Sequence, residues 1–419
     1  MNFKIQPGLY QKNLYEVSSS QQVSKLGEKA AQTVNIEDKV ELTKKQEKIS
    51  NTTKLKEFSQ KSIATTPSGK TKFNEITPDS PLFDHIHRMW DVLKRNCIHP
   101  ESLIDEKSGH KPVLYVPENE KLPEIDGIEV RTLPRDGKVE ANGLLYVPND
   151  YVVPGGRFNE MYGWDSHFTA LGLLEDGKTE LAKDMTENLF YEIDHYGKVL
   201  NANRTYYIQR SNPPFLGSTI LEIYKKTGDR AWLLKALPYA IKEHDFWLKP
   251  PRITPTGLSR YHAEGKGPCP EVEPGYYDNL PTRPEFYVHD RAERESGWDM
   301  TDRYGYRCAD YNPVCLNSLL YKEEKDIAEI YRLLEGEDSK NAGKWEDKAS
   351  KRKELINKYC WDEEKGIYVD YDFVNGKKSN YESMATFYPL YAGVASPRQA
   401  AKVMQNLTLF EEAGGLSTS

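Results

Sequence analysis

The chain has 419 residues, of which 38% are hydrophobic, 29% charged and 11% aromatic, and its net charge is −7. That is enough apolar material for a buried core, and the acidic balance excludes a face built to neutralise nucleic-acid phosphates. Cys97, Cys269, Cys308, Cys315 and Cys360 lie far apart with no CxxC spacing, so neither a disulfide framework nor a zinc site is expected.

Residues 1–75 are rich in Lys, Glu, Ser, Thr and Gln and poor in aromatics. Too few apolar groups are present to offset chain entropy, which predicts a disordered polar tail ahead of a folded domain over 76–419. The opening residues carry no sustained apolar core, so a signal peptide is not expected, and no apolar run is long enough to span a membrane. A cytoplasmic location follows, which agrees with the scattered cysteines. The stretch ATTPSGKT ends like a phosphate loop, but Ala64 replaces the required first glycine and no apolar strand precedes it.

From Pro81 the texture is helical. Leu82, Phe83, Ile86, Met89, Trp90 and Leu93 recur at three- and four-residue steps and predict one apolar face. His85 and His87, two apart, point to different sides and do not make a chelating pair. Leu181, Met185, Leu189 and Ile193 repeat the pattern before Gly197, and the next helix starts near Pro213 and stops at Gly228. Helical patterns follow over 229–249, 317–336 and 342–361. The stretch from Pro250 to Arg307 reads as irregular, and strand-like alternation is confined to VEANGLLYVP and GIYVDYDF. Helical hairpins joined by long polar loops suggest an all-α toroid with a cleft at one end, or a helix bundle with insertions.

Four segments concentrate residues that suit a ligand. PGGRFNEMYGWDSHF (154–168) holds Arg157, Phe158, Glu160, Tyr162, Trp164 and Asp165. NANRTYYIQRSNPP (201–214) holds Asn201, Arg204 and Arg210, PTRPEFY holds Arg283 and Glu285, and ESGWDMTDRYGY holds Gly297, Trp298, Asp299 and Arg303. Singly, each Arg beside a carboxylate reads as a structural ion pair and each ring as the edge of a core. Together they suit a sugar: forked polar groups bind its hydroxyls, and aromatic rings stack on its C–H face. Cleavage of a glycosidic bond needs one carboxylic acid and a second carboxylate, and spacing alone does not select that pair.

The first of these segments closely resembles the first signature of the trehalase family of glycoside hydrolases, with His167 where the family has tyrosine. The resemblance continues in order through RSNPPF, RPEFY, ESGWD, LNSLLYKEEKDIA and GIYVDYDF to GGLSTS, covering about Leu82 to Ser419. It implies an (α/α)6 barrel that hydrolyses α,α-trehalose to two glucoses with inversion, as a monomer and with no cofactor or metal. Carried over by position, Asp299 is the general acid, and Arg157, Asn201, Arg210, Arg283 and Glu285 bind sugar. Phe158, Tyr162, Trp164, Asp165 and Gly297 line the site. An acid at Asp299 needs a raised pKa, which a neighbouring tryptophan and a second carboxylate can supply.

Three departures qualify the match. Asn212 stands where some relatives carry glutamine, and Cys315 replaces an aspartate, whose loss would remove a helix cap. The family's second signature and its glycine-rich segment with the general base have no counterpart in the 419 residues, so the barrel is expected to be incomplete at its C-terminal side. The remaining alternatives are a sugar-binding remnant without a base and an enzyme acting on another α-glucoside.

Overall fold

In the computed structural model of this chain, residues 81–105, 113–121, 125–135, 137–272, 275–280, 283–299 and 301–419 are described. The polar tail of 1–75 and the ATTPSGKT stretch lie outside them. Helices dominate. They are α1 (Pro81–Leu93), α2 (Gly163–Glu175), α3 (Thr179–Tyr196), α4 (Leu216–Thr227), α5 (Arg230–Trp247), α6 (Pro284–Ser296), α7 (Val314–Glu335), α8 (Lys340–Tyr359), α9 (Tyr388–Ala392) and α10 (Pro397–Gln405).

Sequential helices pair as hairpins: α2 packs on α3, α4 on α5, and α7 on α8. Their apolar stripes interlock. Leu173, Met185, Leu189, Ile220 and Leu233 bury into one core, while Trp247, Tyr261, Leu316, Leu320, Ile356 and Tyr368 form a second. Helix α7 joins the two, because its first turns lie in the second core and Ile327, Ala328 and Ile330 lie in the first. It also packs against α4, α5 and α9. Helices α3 and α4 end at Gly197 and Gly228, as their sequences predicted.

Three expectations need correction. Helix α1 forms, but it buries none of its residues. Leu82, Phe83 and Ile86 stay exposed, and only Trp90 and Leu93 pack on the core. The segment from Pro250 to Arg307 is not wholly irregular, since α6 lies within it. Its buried residues include Asp290, Arg291, Glu293 and Glu295 beside Phe286 and Ala292, so charge rather than an apolar stripe faces inward and hides the helical period. Strands at Val113–Val116 and Glu129–Thr132, unmarked by alternation, pair in parallel and accept Leu144–Leu145 on the other edge.

The start of α7 explains the cysteine at position 315. Pro313 occupies the cap position and offers no side-chain acceptor. Asp370 instead accepts the Val314 N–H at 2.9 Å while holding Arg303 at 2.8 and 2.7 Å. The capping carboxylate therefore comes from a distant loop, and Cys315 is buried beneath it as an acceptor for Arg303 at 3.4 Å. All five cysteines are buried and free. No helix among the described residues is long and apolar enough to cross a membrane.

Candidate active site

The Pro-Gly-Gly turn ends in a short closure in which Gly155 and Phe158 exchange backbone hydrogen bonds at 3.3 and 3.1 Å. It leaves Arg157 and Phe158 on the surface, with the Arg157 guanidinium 5.6 Å from the centre of the Phe158 ring. Phe158 meets Tyr162 edge-on at 6.0 Å, and Tyr162 meets Tyr207 at 5.8 Å. A small aromatic wall results.

Glu160 anchors that wall. It is fully buried and accepts Arg204 Nε at 2.6 Å and the Tyr162 hydroxyl at 2.9 Å. Two buried partners in this geometry make a structural ion pair. Trp164 and Asp165 occupy the first turn of α2, both partly buried. Burial pushes the Asp165 carboxyl above its ordinary value. His167 fills the place of the family's tyrosine. Its ring stacks on Phe215 at 4.7 Å and its Nδ1 meets the Thr219 hydroxyl at 2.9 Å. Burial and then Lys322 lower it to about 4, so it is neutral at pH 7.

The Asn201–Arg210 loop is laced to this wall by backbone. Gly163 N–H donates to the Asn201 carbonyl at 3.1 Å, and Asn201 N–H to the Arg210 carbonyl at 3.0 Å. The Asn201 side chain reaches the Ser211 carbonyl at 3.2 Å, and Asn212 holds the Leu200 carbonyl at 2.9 Å. Arg210 is nearly buried. Its guanidinium lies 4.7 Å from the Tyr207 ring centre and pairs with Glu271 at 2.5 Å.

Helix α6 brings Asp299 to the same place. Glu295, fully buried, accepts Ser211 N–H at 2.9 Å, His262 N–H at 2.8 Å and Arg252 at 2.7 Å, which ties the end of α6 to the Arg210 loop. Gly297 then terminates the helix at φ 72°. A side chain there is disfavoured twice over: by that left-handed backbone, and because a Cβ would come within 2.6 Å of the Trp164 indole. This contact sets the first and fourth segments against each other. Asp299 follows, half-exposed, with Arg294 Nη1 3.8 Å from its carboxylate. Arg294 also pairs with Asp290 at 3.2 Å, and Asp290 accepts the Tyr277 hydroxyl at 2.8 Å. Cys269 bridges onward, 3.6 Å from Asp290 and 3.7 Å from Arg210.

Thus Tyr162, Trp164, Asn201, Arg210, Gly297 and Asp299 are linked by direct contacts through a few intermediaries, and Phe158 and Arg157 join at the rim. Arg283 and Glu285 are not brought in. They stand exposed at the start of α6, about 20 Å along the helix axis from Gly297 at 1.5 Å per residue. Two residues that sequence reasoning passed over do lie in this chain of contacts, Glu271 beside Arg210 and Arg294 beside Asp290 and Asp299. Arg294 is one charge among several in DRAERES. Glu271 was hidden in a proline-rich loop. Among the described residues no cluster of His, Cys, Asp and Glu is fit to hold a metal ion. A separate cavity of about 670 Å³, lined by Glu118, Arg135, His195, Lys198, Gln209 and Glu264, shares no residue with this site.

Comparison with known proteins adds three findings. The sequence profile of the trehalase family matches residues 24–277 and 276–419. The cytosolic neutral trehalase of Kluyveromyces lactis is 39% identical over 393 residues, spanning 75% of this chain and 52% of that protein. That of Saccharomyces cerevisiae is 42% identical over 312 residues, spanning 64% and 41%. The chain therefore covers about half the length of these curated relatives. Its fold matches the structure of neutral trehalase Nth1 from Saccharomyces cerevisiae with a TM-score of 0.71 at 34% identity, over 80% of this chain and 77% of that one.

Proposed function

This chain belongs to the trehalase family, and we propose that its folded domain over 76–419 carries the general-acid side of an inverting α,α-trehalase that releases two glucoses. The observation that carries the reading is the convergence of Trp164, Gly297, Asp299, Arg294 and the Arg210–Glu271 pair on one end of α6. In this scheme Asp299 protonates the glycosidic oxygen as the bond to the anomeric carbon breaks. A water activated by a second carboxylate, about 6.5–9.5 Å from the first, attacks from the opposite face. Trp164, Tyr162 and Phe158 offer rings to the sugar's C–H face, and Asp165 lines the site beside them. Arg210, Asn201 and Arg157 take hydroxyls, with Glu271 orienting Arg210. We assign the paired Arg and Glu roles to Arg294 and Glu271, since Arg283 and Glu285 lie far along α6. The cytosolic relatives support a cytoplasmic location.

No residue of this chain is assigned as the base. The alternative reading is trehalose binding by these residues without turnover. Glucose release from α,α-trehalose by the purified chain separates the two. Hydrolysis predicts release that Asp299→Asn lowers by about a hundredfold or more, the usual contribution of a positioned acid. Calorimetric binding with no release supports the second reading, and neither binding nor release contradicts both.

A further inference from the structure

Trp298 is the residue that Asp299 follows, and three contacts pin it. Its N–H donates to the Ser296 hydroxyl at 3.0 Å, its carbonyl accepts the Thr301 hydroxyl at 2.8 Å, and the Arg303 guanidinium lies over its ring, 4.6 Å from the centre. Arg303 is held in turn. Its Nε and Nη2 fork onto Asp370 at 2.8 and 2.7 Å, Nη2 also meets the Cys315 sulfur at 3.4 Å, and the Tyr304 ring centre stands 4.8 Å from the guanidinium. Both charged side chains are almost wholly buried, so neither can swing away without stranding the other. Asp370 also accepts Val314 N–H at 2.9 Å, which fastens the fork to the first turn of α7 and not to the loop that it braces.

We propose that Arg303, fixed by Asp370, is a positioning residue for Asp299: it sets the Trp298 indole and with it the backbone that carries the Asp299 carboxyl. The proposal rests on the reading of Asp299 as the acid. Arg303 is 2% exposed and acts through Trp298, with no face of its own for a sugar. A purely structural role would ask only for a positive charge opposite Asp370. The contact with the indole asks for more, a flat cation that stacks on a ring, which arginine supplies and a lysine ammonium does not. Such a tie matters for the rate, because misplacing a reacting group by about 1 Å costs about a hundredfold.

The test is Arg303→Lys, which keeps a charge for Asp370 and loses the plane over the indole. The first readout is ¹⁹F NMR of the full chain carrying 5-fluorotryptophan at its seven tryptophans, with Trp298 assigned through Trp298→Phe. Arg303→Lys is expected to shift or broaden the Trp298 resonance and to leave that of Trp361, in the same core, where it was. An unmoved Trp298 resonance, or both moving together as in a general loosening of the core, overturns the proposal. Should that variant not fold, Asp370→Asn, which keeps an oxygen for Val314 N–H and weakens the fork, is read in the same way. Should neither fold, the wild type decides: one narrow Trp298 resonance is expected, and a doubled or exchange-broadened one overturns the tie. This readout needs no turnover, so failure of the trehalase reading shows separately as absent glucose release. With turnover, Arg303→Lys is expected to lower kcat by about tenfold to a hundredfold with KM little changed. That loss is expected to vanish in a Trp298→Ala background, whereas losses that multiply independently contradict action through Trp298.

Discussion

Gly297 carries two constraints that no other residue satisfies at once, a left-handed backbone and an indole 2.6 Å from where a Cβ would stand. Gly297→Ala is therefore predicted to cost about 2 kcal/mol or more, from strain and overpacking together, and to tilt Trp164. A lowered urea midpoint with altered near-ultraviolet circular dichroism checks this, and an unchanged midpoint counts against it. The Glu160–Arg204 pair makes a second prediction. Both side chains are almost wholly buried, so Glu160→Ala leaves the Arg204 guanidinium with only Asp105 at 3.8 Å and the Ile104 carbonyl at 3.3 Å and should lose about 3 kcal/mol. Equilibrium unfolding measures it, and a loss below 1 kcal/mol would show that the pair contributes little. At this scale the sequence was legible where a residue does one thing. An arginine beside a carboxylate was readable as a structural ion pair, though not that Glu160 would meet Arg204, and Trp164 was readable as a packed ring. Glu271 and Arg294 were not, because an acidic or basic letter in a charged stretch does not say which opposite charge it will meet.

The helices show the same division by physical cause. Helices α3, α4, α5 and α7 were evident from apolar residues at helical spacing, and the glycines ending α3 and α4 fixed two boundaries. Helix α6 was missed because it buries Asp290, Arg291, Glu293 and Glu295, and buried charge is invisible to a hydrophobic period. The apolar period of α1 was real, yet it reported a helix and not a buried face. Helix α3 also offers a pH prediction. Glu192 is buried on it, accepts Leu200 N–H at 2.9 Å, and is raised by burial to about 8 from an ordinary 4.5. Its folded-state pKa exceeds the unfolded one, so the folded chain holds a proton that the unfolded chain releases. That contribution is fully present below about pH 4.5 and fades as pH rises through about 8, at up to about 1.4 kcal/mol per unit. Glu192→Gln keeps the acceptor for Leu200 and should flatten the decline in urea stability between pH 5 and 8. A decline as steep as that of the wild type would exclude Glu192 as its source.

For the whole chain, the trehalase-family match and the fold shared with the yeast enzyme agree with an order of motifs already visible in the sequence. Long irregular motifs such as PGGRFNEMYGWDSHF identify a family because few sequences produce them by chance. Their spatial meeting could not be read from the chain, since it depends on Glu295 clamping the Arg210 loop and on the closeness of Gly297 to Trp164. On the function proposed above, these contacts build one sugar site around Asp299, with Arg294 and Glu271 inside it and Arg283 and Glu285 outside. A crystal structure of Asp299→Asn soaked with α,α-trehalose measures this directly. Sugar electron density is expected with a glycosidic oxygen within hydrogen-bond distance of residue 299, a ring against Trp164, and hydroxyls on Arg294 and Arg210. Sugar bound at Arg283 and Glu285, sugar bound only in the cavity beside Lys198 and Gln209, or no bound sugar at all would contradict it.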